Sequence, residues 1–161
     1  MRPRYDRTEP EWNFLKYFKV IKYWAKNKYE LSSSDLELLF FLYSEGLFGK
    51  TDFDKFTQIY AWDKSRFETL LKKKWIVRWR GAKNGEKALY EISHKGKHAI
   101  TTIYKKLTGT PVSERGSFSP IFAKQNATFS DKLYRQEIIE MNKEYRERAL
   151  DNGLPPNNLK R

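Results

Sequence analysis

Among the polar residues between positions 64 and 87, eleven are singled out as of types that contact nucleic acid: Lys64, Ser65, Arg66, Thr69, Lys72, Lys73, Arg78, Arg80, Lys83, Asn84 and Lys87. A guanidinium can donate two parallel bonds to guanine. A hydroxyl serves bases or phosphates, and an ammonium neutralises phosphate. Their spacing is ordered. Ser65, Thr69 and Lys72 fall on one side of a helix whose other side carries Phe67, Leu70 and Leu71, with Arg66 and Lys73 on a flank. Arg78 and Arg80 are two apart, so they share one face of a strand. Lys83, Asn84 and Lys87 occupy a hairpin tip and its return. The bland alternative is an amphipathic helix with a solvated lysine face. The basic hairpin directly after it favours a DNA-contacting surface.

Other chemistries lack their residues. The chain has no Cys, which excludes disulfides, thiolate zinc sites and cysteine nucleophiles. His94 and His98, four apart, have no third ligand near them in sequence and read as a solvated pair, so no metal is expected. No Gly-rich phosphate loop or G-x-S-x-G elbow occurs. The acids Asp52 and Asp54 read as a helix start, where they complement the dipole. No catalytic set is found, so neither enzyme activity nor a cofactor is expected.

Charge is unevenly placed. Of a net +12, residues 31–63 carry −4 and residues 64–98 carry +8. The second stretch attracts polyanions and the first repels them. Hydrophobic content of 39% suits a folded chain of 161 residues. No run is long enough for a membrane span, and the N-terminus lacks a signal-like apolar core. A cytoplasmic, nucleoid-associated protein is the expectation.

The elements that must position these groups follow from periodicity. Residues 1–10, with Arg2, Arg4 and Arg7, read as a basic flexible arm able to reach a minor groove. Residues 11–29 read as a helix with a stripe of Phe14, Phe18, Ile21 and Ala25, broadened by Trp12, Leu15, Tyr17, Val20 and Trp24. Ser34 and Glu37 form a capping box for a second helix ending at Gly46. Thr51 can cap a third, DFDKFTQIY. A fourth, about 64–73, is capped by Asp63 or by Ser65 with Glu68. Residues 76–93 read as strand, Asn84-Gly85 turn and strand. A fifth helix follows, with Ile100, Ile103, Tyr104 and Leu107 on one face and Gly109 at its end. Residues 110–129 are an extended connection in which Phe118, Ile121 and Phe122 suggest contact with a surface. Residues 130–150 form a last helix, capped by Ser130, with a seam of Tyr134, Ile138, Met141, Tyr145 and Ala149. Residues 151–161 are a tail. The expected fold is mainly α with a small β-hairpin: a winged helix-turn-helix over 11–109 with additional N- and C-terminal helices.

Residues 31–109 resemble the winged-helix domain of MarR-type (multiple antibiotic resistance regulator) transcription factors. The resemblance rests on LSSSDLELLFFLYSEGL, DKSRFETLLKKKWIVRWR and YEISHKGKHAI. LLKKKWIVR is similar to the family's entry into the wing, and ISHKG to its exit. Lys74 stands where many members have Gly, and the wing lacks their D-x-R signature. The resemblance implies double-stranded DNA as partner, helix 64–73 in the major groove and wing 76–93 on the backbone or minor groove. It also implies a homodimer through helices 11–29 and 131–150. In such dimers a small ligand is often held near the dimerisation helices, where Trp12, Trp24 and Tyr104 are the aromatic candidates, although core packing explains them more simply. Packing onto its own domain is the other reading of the last helix. A second functional reading is a structural or assembly protein, within a virus particle or transcription complex, that reuses the fold for protein contacts. The Phe-bearing connection at 110–129 favours it.

Overall fold

The first N–H groups of a helix need acceptors, and side chains that supply them set where each helix begins. A computed structural model describes residues 14–60 and 63–151. The arm's Arg2, Arg4 and Arg7, the aromatic Trp12 and the tail from 152 lie outside the described residues. Within them are six α-helices and one antiparallel hairpin: α1 Phe14–Tyr29, α2 Ser33–Glu45, α3 Lys50–Tyr60, α4 Arg66–Lys72, β1 Ile76–Arg80, β2 Leu89–Ile92, α5 His94–Leu107 and α6 Phe129–Asp151. The molecule is therefore mainly helical with a small two-stranded sheet. No helix among the described residues is long and apolar enough to cross a membrane. The chain divides into two units, residues 29–102 and residues 1–28 with 103–161.

In the unit of residues 29–102, α2 is capped by Ser32, whose Oγ accepts from the Asp35 N–H at 3.1 Å. The expected cap was Ser34. Both serines have an acid three residues on, and the choice falls to Ser32 because this register sends Asp35 into the interior, where Arg66 meets it. Gly46 ends α2 with φ +77°, as its position suggests. At the start of α3 Asp52 accepts from the Gly49 N–H at 2.9 Å, so the helix begins at Lys50 and Thr51 lies inside it and is not its cap.

Four aromatic rings close the centre of this unit. Phe53 meets Phe67 at 5.1 Å, Phe67 meets Tyr90 at 4.9 Å, and Phe48 meets both Phe53 and Tyr90 at 6.3 and 6.4 Å. Edge-to-face and offset pairs of this kind add to burial. They join α3, α4 and β2. Phe48 also forms an antiparallel bridge with Tyr90, through N···O bonds of 2.9 and 2.8 Å. That bridge adds a third, one-residue rung to the hairpin's edge.

The exit from α4 is a Schellman motif. The Trp75 N–H donates to the Leu70 carbonyl at 2.9 Å and the Lys74 N–H to Leu71 at 3.0 Å. Lys74 takes the left-handed turn with φ +63°. An L side chain is strained there, which is the physical reason a glycine suits the position. Lys74→Gly is expected to raise stability by about 1 kcal/mol in denaturant titration; an unchanged midpoint would show that the left-handed turn carries no strain. After the hairpin, Ser93 caps α5, its Oγ accepting from Gly96 at 3.1 Å. Gly96 is required by space: a Cβ there would lie 2.5 Å from the Ile92 Cγ2 and 3.0 Å from the Trp75 carbonyl oxygen.

In the other unit, α1 buries Tyr17, Val20, Ile21, Trp24 and Ala25. The expected Ile21 and Ala25 are among them, with Tyr17, Val20 and Trp24 of the broader stripe, whereas Phe18 is 40% exposed. Helix α6 begins at Phe129, capped by Thr128 and not by Ser130. The Asp131 N–H donates to the Thr128 Oγ1 at 3.1 Å, and the Thr128 N–H donates back to Asp131 at 3.0 Å. Asp131 also accepts from the Tyr23 hydroxyl, and that bond, with the Thr128 N–H, holds its carboxyl down at about 2. The α6 seam is turned inward. Ile138, Met141, Tyr145 and Ala149 are buried, Tyr134 stacks on Tyr23 at 3.9 Å, and Tyr145 meets Tyr17 edge-on at 5.7 Å. The seam thus packs on its own chain.

The connection after α5 is tied down by side chains. Asn142, fully buried, accepts from the Val112 N–H at 2.8 Å and donates to its carbonyl at 2.7 Å, as a neighbouring strand would. Arg135 donates to the carbonyls of Ile121 and Lys124 at 2.6 and 2.8 Å, and the Trp24 indole donates to Ser119 at 3.0 Å. Ile121, in a 3-10 turn Pro120–Phe122, is buried, whereas Phe118 is exposed.

Helix α5 buries Ala99, Ile100, Ile103 and Lys106, so the expected Tyr104 lies outside its inner face and half of its surface is exposed. The Lys106 ammonium donates to the Pro111 carbonyl at 2.8 Å. Burial, then the nearby Lys28 and Lys105 charges, lower its pKa from 10.5 to about 8. A lysine depressed on folding disfavours the folded state while charged, and the penalty is relieved as pH rises from about 8 towards 10.5. Wild type should therefore gain about 2 kcal/mol relative to Lys106→Met between pH 8 and 10. Tyr145, pushed up to about 12 by burial, keeps its contribution throughout that window and loses it only above pH 10. Parallel stability curves for the two proteins would show that Lys106 stays charged.

Candidate nucleic-acid interface

The eleven singled-out residues all fall in one unit, on α4, the turn before it and the hairpin after it. Phe67 on α4 and Tyr90 on β2 are the ring pair that fixes the helix against the hairpin. On α4, Phe67 and Leu70 are buried and Leu71 is half-buried, which turns Ser65, Lys72 and Lys73 to solvent with Thr69 half-buried among them. Lys64 is exposed in the preceding turn. Asp63 supplies the cap: its Oδ1 accepts from the Ser65 N–H at 2.9 Å, a bond that lowers its carboxyl pKa. Ser65 makes no side-chain cap bond, and its hydroxyl lies against the Asp63 carboxylate. The Thr69 hydroxyl donates to the Ser65 carbonyl at 3.3 Å.

Arg66 is placed differently from its neighbours. Its Nη1 lies 3.3 Å from the Asp35 carboxylate, whose side chain is 4% exposed against 35% for Arg66. A buried carboxylate holds a guanidinium firmly, because either charge left alone in the interior is costly. Arg66 therefore fastens α4 to α2. The helix wheel cannot show this, since the partner lies thirty-one residues away.

The hairpin keeps one arginine and presents the other. The Arg80 Nη1 pairs with Glu86 at 2.9 Å and its Nη2 donates to the Lys87 carbonyl at 3.4 Å, along the hairpin itself. Arg78 is exposed, as are Lys83, Asn84 and Lys87. The register runs Arg78↔Tyr90 and then Arg80↔Leu89, so a bulge falls between the two arginines. At the tip Asn84 and Gly85 have φ of +52° and +78°, the paired left-handed conformation that an Asn-Gly turn adopts. The Lys87 Nζ donates to the Thr51 hydroxyl at 3.3 Å and ties the hairpin's return to α3.

What remains outward is mostly ammonium. Lysines neutralise phosphate as point charges and carry little base information. Beside the lysines, Ser65, Arg78 and Asn84 are exposed, and the half-buried Thr69 has its hydroxyl engaged by the Ser65 carbonyl. Glu68 is the exposed acid on α4, and it pairs loosely with Lys50 at 4.0 Å. The remaining candidates lie elsewhere. Trp24 is buried in the core of its unit and Tyr104 is half exposed. His94 and His98 are exposed on α5. Among the described residues no cluster of three or more His, Asp or Glu is placed to hold a metal ion. An open cleft of about 350 Å³ in the unit formed by the chain's two ends is lined by Lys16, Tyr17, Lys143 and four glutamates, a wall that repels polyanions. No family model, no curated protein and no solved structure matches this chain.

Proposed function

We propose that this chain binds double-stranded DNA as a winged helix-turn-helix transcriptional regulator of MarR-like type. Helix α4 enters the major groove and the hairpin serves as the wing on the backbone or minor groove. The observation that carries this reading is the exposure of Lys64, Ser65, Lys72, Lys73, Arg78, Lys83 and Lys87 on and beside two elements held together by Phe67 and Tyr90. Arg66 and Arg80 support the surface from behind. The protein acts as a dimer in the nucleoid-bearing cytoplasm and is a binding protein without catalysis. The surfaces a second copy would cover are the exposed sides of α1 and α6, since the α6 seam is turned inward.

The test is selection of the tightest binders from random duplexes at near-physiological salt, followed by affinity measured across salt. A recovered palindromic motif is the expected outcome. The Lys72→Ala, Lys73→Ala double variant should lower the salt slope by about two and weaken all sequences alike. Absence of binding overturns the reading. Binding that is sequence-blind and collapses with salt favours a second reading, an assembly protein whose basic face only holds phosphate. The observation behind that second reading is the firmly tied 110–129 connection, which presents an exposed Phe118 to solvent.

A further inference from the structure

Trp79 on β1 is 53% exposed, and Val77, two residues earlier, is 37% exposed. The other aromatic residues of this corner are packed: Trp75 against Tyr29 and Tyr90 against Phe67. Trp79 is also the residue that the bulge leaves without a cross-strand partner, since Arg78 faces Tyr90 and Arg80 faces Leu89. Bulges re-aim a side chain, and they recur beside functional sites. Val77, on the same side by strand alternation, faces Glu91 across the sheet, and Lys83 and Lys87 are exposed on the tip and return of the same hairpin. An exposed indole on a hairpin that also exposes lysines suits the face of a nucleic-acid base.

We infer that Trp79 stacks on an unpaired base, so that the wing prefers DNA carrying a local unpaired site over a perfect duplex. The inference rests on the DNA-binding reading and names the substrate within it. Magnitudes decide between the two substrates. Stacking one base on an aromatic ring improves affinity by about tenfold or more. Prising a base step apart in an intact duplex forfeits a similar or larger factor. The two nearly cancel on perfect duplex. Where a base is already unstacked, only the gain remains. The minor groove of intact DNA, about 6 Å wide, admits the indole only by such opening.

The test compares two labelled duplexes of the same sequence, one with a single unpaired adenine at its centre, by fluorescence anisotropy at fixed salt. Wild type should bind the bulged duplex about tenfold tighter or more. Trp79→Ala should abolish that ratio with little change on the intact duplex, and Trp79→Phe should keep part of it. Because Trp79 is half exposed, thermal melting of both variants should match wild type, which separates stacking from folding. Equal affinity of wild type for the two duplexes overturns the inference while leaving DNA binding in place. A preference that survives Trp79→Ala also overturns it. Failure of wild type to bind either duplex removes the inference and the reading beneath it together.

Discussion

Replacing Arg66 with alanine is expected to lower folding stability by about 2–3 kcal/mol, measured by chemical denaturation of the intact chain. The magnitude follows from burial. Asp35 is 4% exposed, so loss of its partner leaves a carboxylate uncompensated inside the protein. The value is set at the low side of the range for broken buried pairs because the Arg66 side chain is 35% exposed and partly screened by water. The reverse change, Asp35→Ala, should have a smaller effect, since a third-exposed guanidinium can turn to solvent. The double variant should lose less than the sum of the two, and a coupling of about 1–2 kcal/mol between them is the signature of a direct pair. Additive losses would show that the two residues act separately. The DNA consequence is equally specific. If Arg66 fastens α4 and reads no base, Arg66→Ala weakens every duplex alike. A loss confined to one base position would return it to base readout.

Gly96→Ala is the second large effect. A methyl at this position lies 2.5 Å from a side-chain carbon of Ile92 and 3.0 Å from the Trp75 carbonyl oxygen. Ile92 is 2% exposed and branched at Cβ, so the crowded methyl cannot swing away. The backbone oxygen moves only if the turn after α4 moves. Alanine is the better helix former, by about 1 kcal/mol. Overpacking outweighs it, and a net loss of about 2 kcal/mol is expected. Ile92→Leu shifts the branch off Cβ and should restore part of the loss in the double variant. A neutral Gly96→Ala would show that the join between β2 and α5 is looser than its spacing.

Local features of this chain were legible in its sequence, and long-range pairs were not. The Asn84-Gly85 turn, the ends at Gly46 and Gly109, and the buried Phe67 and Leu70 all follow from signals within a few residues. The caps show the limit of that logic. SSSDLE offers three hydroxyls and TFSD two, and the sequence pattern fits more than one in each. Tertiary contacts chose Ser32, through Asp35 and Arg66, and Thr128, through Asp131 and Tyr23. On α1 both Tyr17 and Phe18 fit the broad helical stripe, and Tyr17, edge-on to Tyr145, is the one buried. The Phe48–Tyr90 bridge has no sequence signal at all, because one residue is too short for alternation. At the candidate site the helix wheel found which side chains leave the core. It could not tell a guanidinium that faces solvent from one held by a carboxylate, and Arg66 and Arg80 both belong to the held kind.

The Asn142 amide that imitates a strand partner for Val112 has a counterpart in time. Its bonds, with those of Tyr23 to Asp131 and Trp24 to Ser119, span thirty to more than a hundred residues of chain. Residues 29–102, by contrast, are continuous. During synthesis the central stretch has every partner it needs before the last helix has left the ribosome. Helix α1 leaves the ribosome long before α6, so Tyr17 has no cover from Tyr145 until α6 arrives, and α1 is closed in late although it is made early.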